Sequence, residues 1–280
     1  MTPNADDGLS GVRVTRASHG NTPRYTIGTL VTDAAQYDAM HASFIEGGFS
    51  DADCEYLFID NTRDVQTDAY RGLNAILNAA RAPVAILCHQ DVRLLADERQ
   101  TLDERLDDLT SRDPSWAAAG NAGGVAPGRL AVRISDPHGG NQSAGALPAR
   151  VQSLDENFLI VRRDARIGFS RDLSGFHFYG ADICLHAAQM GCTSYVIDFH
   201  IEHLSPGKRS VDFDVAELEF RAKWSRALQP RWIQTTCSLV YLSGAPWRSI
   251  LGRFTDGPIA RIARRLPGAQ GWTHRPQTTS

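Results

Sequence analysis

The sequence lacks a long apolar run, and no apolar segment stands near its start. A membrane-spanning helix needs about 20 mostly apolar residues, and a secretory signal peptide needs an apolar stretch behind a basic start. The first twenty residues are polar instead. These absences predict a cytoplasmic protein that is neither secreted by that route nor integral to a membrane.

Paired cysteines and an excess of positive charge are lacking as well. The five cysteines form no Cys-x-x-Cys motif, which predicts free thiols in a reducing compartment. The formal net charge is −3 and the pI is about 6.3, so a nucleic-acid partner is not expected. An anionic ligand must then be held locally, by a metal ion, a helix N-terminus or a few arginines.

Three common site motifs are also missing. No Gly-x-Gly-x-x-Gly follows the first apolar run, and the chain has neither a P-loop nor a Gly-x-Ser-x-Gly elbow. These absences argue against the usual dinucleotide, nucleoside-triphosphate and α/β-hydrolase sites.

The first ninety residues alternate short apolar runs with amphipathic segments. The runs at residues 25–31, 55–60 and 83–88 predict strands, and the segments 34–45 and 67–80 predict helices. Strands without polar alternation are buried on both faces, which is typical of a parallel sheet between helix layers. The sequence therefore predicts an α/β fold with a Rossmann-like, mostly parallel central sheet flanked by helices.

Composition divides the chain into three parts. Residues 1–23 predict a flexible tail, residues 24–230 carry the α/β domain, and residues 231–280 predict a helical, basic extension. Inside the domain, the Gly- and Pro-containing residues 124–149 predict a mobile loop. In the extension, residues 247–265 interleave five arginines with large apolar side chains. That pattern fits a packed terminal helix with a solvated basic face or peripheral contact with an anionic membrane.

Polar residues directly after the predicted strands are the first candidates for a site, because ligands bind beyond the carboxyl ends of parallel strands. Asp91 suits a divalent cation that bridges two phosphates, although an Asp there equally caps the next helix. Asp60 and Asn61 can bond a base or ribose, and both are also common in turns. The candidate site residues that follow predicted strands are Thr32, Asp60, Asn61, His89, Gln90 and Asp91.

Two later segments also carry chemistry. Asp182 lies at the start of a predicted helix, where a carboxylate is stabilised by the helix dipole or acts as a general base on an acceptor hydroxyl. His200 and His203 follow a predicted strand and offer imidazole metal ligands. Their spacing is not that of the zinc-protease motif His-Glu-x-x-His.

In this order the pieces resemble the GT-A glycosyltransferases, in particular the family-2-like bacterial group. The resemblance spans roughly residues 25–205. It implies that Asp60 contacts the nucleotide base and that Asn74 lies near the nucleotide. The Asp-x-Asp metal motif of the family reads His89-Gln90-Asp91 here, which keeps only the last acid.

The same resemblance assigns roles to later residues. It implies that His203 completes the metal site with Asp91 and that Asp182 is the acceptor-side base. Asp155 and Glu156 are expected to line the acceptor entrance. The cofactor implied is Mg²⁺ or Mn²⁺.

The function implied is an inverting, hexosyltransferase-like transfer from a UDP- or GDP-sugar to the hydroxyl of a glycan or lipid-linked acceptor. Glycan or cell-envelope polysaccharide synthesis is the expected setting. Two alternatives stay open: a GT-A-like protein that binds a nucleotide-sugar or a partner without catalysis, and another metal-dependent α/β enzyme such as a nucleotidyltransferase or phosphohydrolase. Residues 32–38 contain no Gly, Lys or Arg, which counts against a nucleotidyltransferase.

Overall fold

The computed structural model describes residues 12–15, 22–137, 139–205, 211–234, 239–263 and 265. The chain divides into two compact units, Met1–Glu217 and Leu218–Ser280. The sequence predicts a boundary at residue 230, whereas the boundary between the units falls within a helix, Val211–Leu228.

The first unit alternates strands and helices along its N-terminal half and is rich in strands afterwards. Its strands are β1 (Val12–Thr15), β2 (Tyr25–Val31), β3 (Cys54–Asp60), β4 (Val84–Cys88), β5 (Val92–Leu94), β6 (Trp116–Gly120), β7 (Ala122–Ala126), β8 (Arg129–Asp136), β9 (Gly140–Ala144), β10 (Ala149–Arg150), β11 (Ser153–Leu154), β12 (Phe158–Arg162), β13 (Thr193–Val196) and β14 (Ile201–His203). Its helices are α1 (Ala34–Glu46), α2 (Ala69–Ala79), α3 (Arg99–Arg112) and α4 (Tyr179–Gln189), with a 3-10 turn at Arg163–Ala165. Helix α5 (Val211–Leu228) follows and crosses the unit boundary.

The larger sheet has the order β1-β3-β2-β4-β12-β6-β13-β10. Strands β2, β3, β4, β6 and β13 run in one direction, while β12 runs antiparallel between β4 and β6. The predicted α/β class, with helices flanking a central sheet, is confirmed, and the sheet is mixed. Its central strands β4 and β12 are almost wholly buried, which explains their uninterrupted apolar sequences.

A second sheet corrects the loop predicted at residues 124–149. Strands β11, β7, β8, β14 and β5 pair in that order, and β9 adds to β8. Of the glycines in this range, Gly124 serves close strand packing, because a Cβ there would come within 2.8 Å of Ser153 Oγ on the neighbouring strand, whereas Gly128 and Gly140 adopt positive φ.

A strand also lies within the predicted N-terminal tail. Residues Val12–Thr15 pair antiparallel with Tyr56–Ile59 of β3 and form one edge of the larger sheet. The flexible tail predicted for residues 1–23 is therefore wrong at β1, since unpaired amides on the edge of β3 offer this segment hydrogen bonds. The remaining residues 1–11 and 16–21 lie outside the described part of the chain.

The carboxyl ends of the parallel strands form one edge, which positions the site. Helices α1 and α2 begin just after β2 and β3, and Asp33 and Asp68 cap them by accepting backbone hydrogen bonds. Buried residues such as Phe44, Ile86 and Phe158 fill the core beside the sheet. This packing fixes where each strand ends, and thus where the polar residues after β2, β3 and β4 stand.

The second unit contains a hairpin and a helix. Strands β15 (Arg231–Gln234) and β16 (Leu239–Leu242) pair antiparallel, and α6 (Pro246–Ala263) follows. Among the described residues, no helix combines the length and apolar character needed to cross a bilayer.

Candidate metal centre

Three polar side chains from two strand ends form one group. His89 and Asp91 follow β4, and His203 is the last residue of β14. Strand β14 pairs antiparallel with β5 so that His203 lies opposite Val92, the neighbour of Asp91. The second sheet thus brings a residue from far along the chain to the edge where β4 ends.

The ligand atoms of this group are close together. The Nε2 atom of His203 lies 3.4 Å from Asp91 Oδ1 and 3.4 Å from His89 Nδ1. One ligand atom from each of the three residues falls within 4.8 Å of the others. Ligands bound to a common ion at about 2.0–2.2 Å lie roughly 3.0–3.5 Å apart, so the spacing fits a divalent cation.

Tyr179 orients His89. The Tyr179 hydroxyl donates a hydrogen bond to the Glu156 carbonyl at 3.1 Å and lies 2.8 Å from His89 Nε2. We assign the Nε2–H tautomer to His89, because a hydroxyl whose proton lies on the carbonyl can only accept from the ring. The lone pair of the neutral ring is then on Nδ1, the atom that faces His203. A tautomer fixed in this way is typical of metal-ligating histidines.

The electrostatics of the group fit a cation as well. Burial opposes ionisation of Asp91, but hydrogen bonds from His203 and Ser205 and the charge of His203 outweigh it and hold the pKa of Asp91 well below its usual range. Burial, together with the neighbouring His203, lowers the pKa of His89 and favours the neutral imidazole. For His203 burial lowers the pKa, but the Asp91 carboxylate raises it by more.

Two cavities adjoin this group. Cavity A, of about 320 Å³, has an apolar floor that includes Leu30 and Leu87 and a polar rim that includes Thr32, Gln90 and Asp91. Cavity B, of about 720 Å³, is bounded by the second sheet and is lined by His203, Ser205 and Asp155, among others. Both cavities are lined by His89, Glu156, Phe176 and His177. The candidate metal ligands therefore stand where the two cavities meet.

The structure brings Thr32 and Gln90 to the rim of cavity A. The Gln90 side chain accepts from the backbone amide of Thr32 at 2.8 Å and donates to its Oγ1 at 2.8 Å. Asp60 ends β3, accepts a 2.6 Å hydrogen bond from Thr62 Oγ1, and is not among the residues that line either cavity.

Two residues predicted to bind the nucleotide are placed elsewhere, which corrects their assignment. Asn61 is 1% exposed, and its amide bonds both backbone groups of Thr67. Asn74 likewise donates to the carbonyl of Phe169 and accepts from its amide, each at 2.9 Å. Both side-chain amides hold loop backbone in this structure, and neither residue is among those that line cavity A or cavity B.

Asp182 also requires correction. Its side chain is 0% exposed, and its two oxygens accept from the Ser170 amide at 2.8 Å and from Ser170 Oγ at 2.6 Å. A general base must reach the acceptor hydroxyl, and this carboxylate lines neither cavity. In this structure Asp182 anchors the loop at Ser170 to α4, away from the two cavities.

Comparison with known proteins gives a relative with substantial identity. The protein named "ATP synthase subunits region ORF 6", from Fuscovulum blasticum, is 34% identical over 232 residues, which are 80% of this chain and 92% of that protein. The chain belongs to the family of this ORF 6 protein. No protein-family profile matches the sequence.

Solved structures similar to this member of the ORF 6 family include two sugar transferases. Mannosyltransferase PcManGT from Pyrobaculum calidifontis, in complex with GDP-Man and Mn²⁺, has a TM-score of 0.47 and 14% identity, covering 76% of this chain and 68% of that one. GalNAc-T7 with UDP, GalNAc and Mn²⁺ has a TM-score of 0.46 and 8% identity, covering 67% of this chain and 45% of that one.

Proposed function

We propose that this protein is a metal-dependent glycosyltransferase that moves a sugar from a nucleoside-diphosphate sugar to an acceptor hydroxyl, with inversion, in glycan or cell-envelope polysaccharide synthesis. The observation that carries the proposal is the group of His89, Asp91 and His203 at the carboxyl end of β4, beside a cavity with a polar rim. Ligands in α/β sheets bind at this end of the strands, and the sequence resembles GT-A enzymes over the same segments.

The residues present fit a divalent cation. Its chemistry, when bound, is to neutralise the charge that develops on the diphosphate as the sugar leaves. Asp91 and His203 would hold the ion together with His89, and Thr32 and Gln90 line the adjoining cavity A, which would take the donor. Two imidazoles with one carboxylate favour Mn²⁺ over Mg²⁺, since Mg²⁺ strongly prefers oxygen ligands.

One observation favours a second candidate function. Two histidines and a carboxylate are also the donor set of non-haem iron(II) oxygenases, and the pattern His89-x-Asp91 with a distant His203 has this composition. Fe²⁺ therefore belongs in any comparison of metals. An oxygenase needs no nucleotide, so nucleotide binding separates the two functions.

The proposed function predicts metal-dependent nucleotide binding. With Mn²⁺ present, UDP or GDP at 100 times its Kd should stabilise the protein by about 2.7 kcal/mol. For a domain of this size that free energy raises Tm by roughly 5–10 °C. Thermal unfolding with UDP, GDP and their sugar conjugates, each with Mn²⁺ and with EDTA, measures the effect.

The controls for this experiment are the metals alone and the nucleotides alone. A shift that needs both Mn²⁺ and nucleotide supports the proposal. The proposal fails if none of the nucleotides shifts Tm with Mn²⁺ or Mg²⁺, and a shift by Fe²⁺ alone then favours the iron site.

We also propose that the second unit binds an anionic membrane surface, which places the protein at the periphery of a membrane and suits a lipid-linked acceptor. Along α6, Trp247, Ile250 and Phe254 are spaced along one helical face and are 59%, 57% and 77% exposed. The same stretch, residues 247–265, contains five arginines and one acidic residue. Exposed aromatic and aliphatic side chains interleaved with arginine are typical of interfacial helices. A second copy of this chain is a poorer occupant, since two such faces carry charge of the same sign.

Removing the exposed rings should weaken membrane binding. We expect the double variant Trp247→Ser, Phe254→Ser to bind phosphatidylserine-containing vesicles at least roughly tenfold more weakly, because two apolar side chains no longer insert. Vesicle co-sedimentation measures this loss, and Val65→Ser, which removes an apolar side chain 90% exposed in the first unit, is the matched control. The membrane proposal is refuted if the wild-type protein does not bind these vesicles. It is also refuted if the double variant changes from dimer to monomer without any change in vesicle binding.

A further inference from the structure

Glu156 occupies a distinctive position at the junction of the two cavities. It lies between β11 and β12 and lines both cavity A and cavity B. Cavity A carries the polar rim assigned to the donor, so cavity B is left for the acceptor. A residue that lines both spaces lies between the positions proposed for the two reactants.

The local backbone explains why Glu156 is held there. The chain approaches α4 through Phe178, whose φ of 66° lies in the left-handed region that non-glycine residues rarely adopt. The next turn packs directly on Leu154, because a Cβ at Gly180 would collide with the Leu154 carbonyl. Strained backbone of this kind is found often at functional sites.

The surroundings of Glu156 raise the pKa of its carboxyl group into the range suited to a general base. Burial and the charge of neighbouring Asp155 raise the pKa of Glu156 to about 8, against the opposing effect of backbone amides at the start of α4. A base titrating near neutral pH combines an available ionised form with a strong drive to take a proton.

We propose that Glu156 is the general base of the transfer, the role that the sequence assigns to Asp182; this inference rests on the function proposed above. The acceptor hydroxyl in cavity B attacks the anomeric carbon of the donor in cavity A. Its oxygen forms the new C–O bond and its proton passes to a Glu156 carboxylate oxygen. The bond from the anomeric carbon to the diphosphate oxygen breaks, and its electron pair leaves with the nucleoside diphosphate.

The contrast with Asp182 makes the proposal specific. Asp182 is fully buried against Ser170, whereas Glu156 is partly buried and reaches both cavities. The alternative is a purely structural role, in which Glu156 only caps α4 by accepting a hydrogen bond from Gly180 N at 3.4 Å through Oε1. Glutamine keeps an oxygen acceptor for that amide but cannot take a proton, so Glu156→Gln separates the two roles.

The test uses the full chain, Mn²⁺ and a panel of UDP- and GDP-sugars, with water in place of the acceptor hydroxyl, and measures nucleoside diphosphate release. We expect Glu156→Gln to release nucleotide at least ~100-fold more slowly than wild type, the usual contribution of a general base. Its Mn²⁺-dependent Kd for UDP or GDP and its Tm should match those of wild type. Glu156→Asp, which keeps a carboxylate, should recover part of the rate.

Asp182→Asn is the comparison variant, assayed at a temperature at which it is folded. We expect its rate to stay within a few-fold of wild type, because its carboxylate lines neither cavity. Full activity of Glu156→Gln, or a selective loss of rate in Asp182→Asn, overturns the assignment of Glu156. A wild-type protein that releases nucleotide from none of the donors overturns the proposed function and this inference with it.

Discussion

Asp91→Ala should abolish Mn²⁺-dependent nucleotide binding. Asp91 is the carboxylate of the proposed metal group; burial opposes its ionisation, but hydrogen bonds from His203 and Ser205 and the charge of His203 hold its pKa well below the usual range. Loss of an outer hydrogen-bond partner already weakens metal sites by 10- to 100-fold. We therefore expect loss of this direct ligand to weaken Mn²⁺ binding more than ~100-fold, measured by calorimetric titration of Mn²⁺ and then of UDP or GDP.

The matched control for this variant is Asp64→Ala. Asp64 is an exposed carboxylate in the loop after β3 and is not a member of the metal group. It tests whether any loss of negative charge has the same effect. Unchanged Mn²⁺ affinity in Asp91→Ala would remove Asp91 from the ligand set, and an equal loss in Asp64→Ala would show that the effect is not specific.

Among the substitutions proposed here, Glu55→Ala should lower the free energy of unfolding the most. The Glu55 side chain is 1% exposed and accepts from Thr26 Oγ1 at 2.6 Å and from Arg81 Nε at 2.8 Å. Breaking a buried ion pair by removing one partner costs about 3–5 kcal/mol. Arg81 is 37% exposed and can be solvated by water once its partner is gone. We therefore expect the free energy of unfolding to fall by about 3 kcal/mol, measured by urea unfolding. Glu46→Ala, an exposed glutamate at the end of α1, should change stability by less than about 0.5 kcal/mol.

The effect of Glu55 should depend on pH. Burial raises the pKa of Glu55, but hydrogen bonds from Thr26 and Arg81 outweigh it, so its folded pKa lies below the ordinary value of 4.5. A depressed pKa stabilises the fold at pH values above that ordinary value, and this contribution is lost as the pH falls through the folded pKa. The difference in the free energy of unfolding between wild type and Glu55→Ala should become smaller in acid. A difference that grows as the pH falls would contradict this account.

The sequence predicts the order of strands and helices well where burial is uniform. The apolar runs that become β2, β3 and β4 and the stripes of α1 and α2 depend on local periodicity, which is visible in any one segment. The direction of β12 is not visible in this way, because a buried antiparallel strand and a buried parallel strand have the same composition. The strands within residues 124–149 are not predictable either, because a glycine that allows close strand approach and a glycine of a loop look alike in a sequence.

The same limit applies to the candidate site. The resemblance pairs Asp91 with His203, and the two side chains do lie close together, but what joins them is the pairing of β14 with β5 in a second sheet that the sequence does not predict. Asn74 and Asp182 are polar residues in helices whose partners, Phe169 and Ser170, come from a loop that no periodicity positions. The contact of Tyr179 with His89 is not predictable from the sequence, since only the folded chain brings its hydroxyl to the imidazole.

The ends of the larger sheet have a consequence for how the protein behaves at high concentration. Within the residues that the structure describes, both outermost strands of this sheet are short, β1 with four residues and β10 with two. A short outer strand offers few free amides and carbonyls on which a foreign chain can build a ladder. The longer apolar strands β2, β3 and β4 each lie between two partner strands, which leaves less of their backbone open to fibrous self-association.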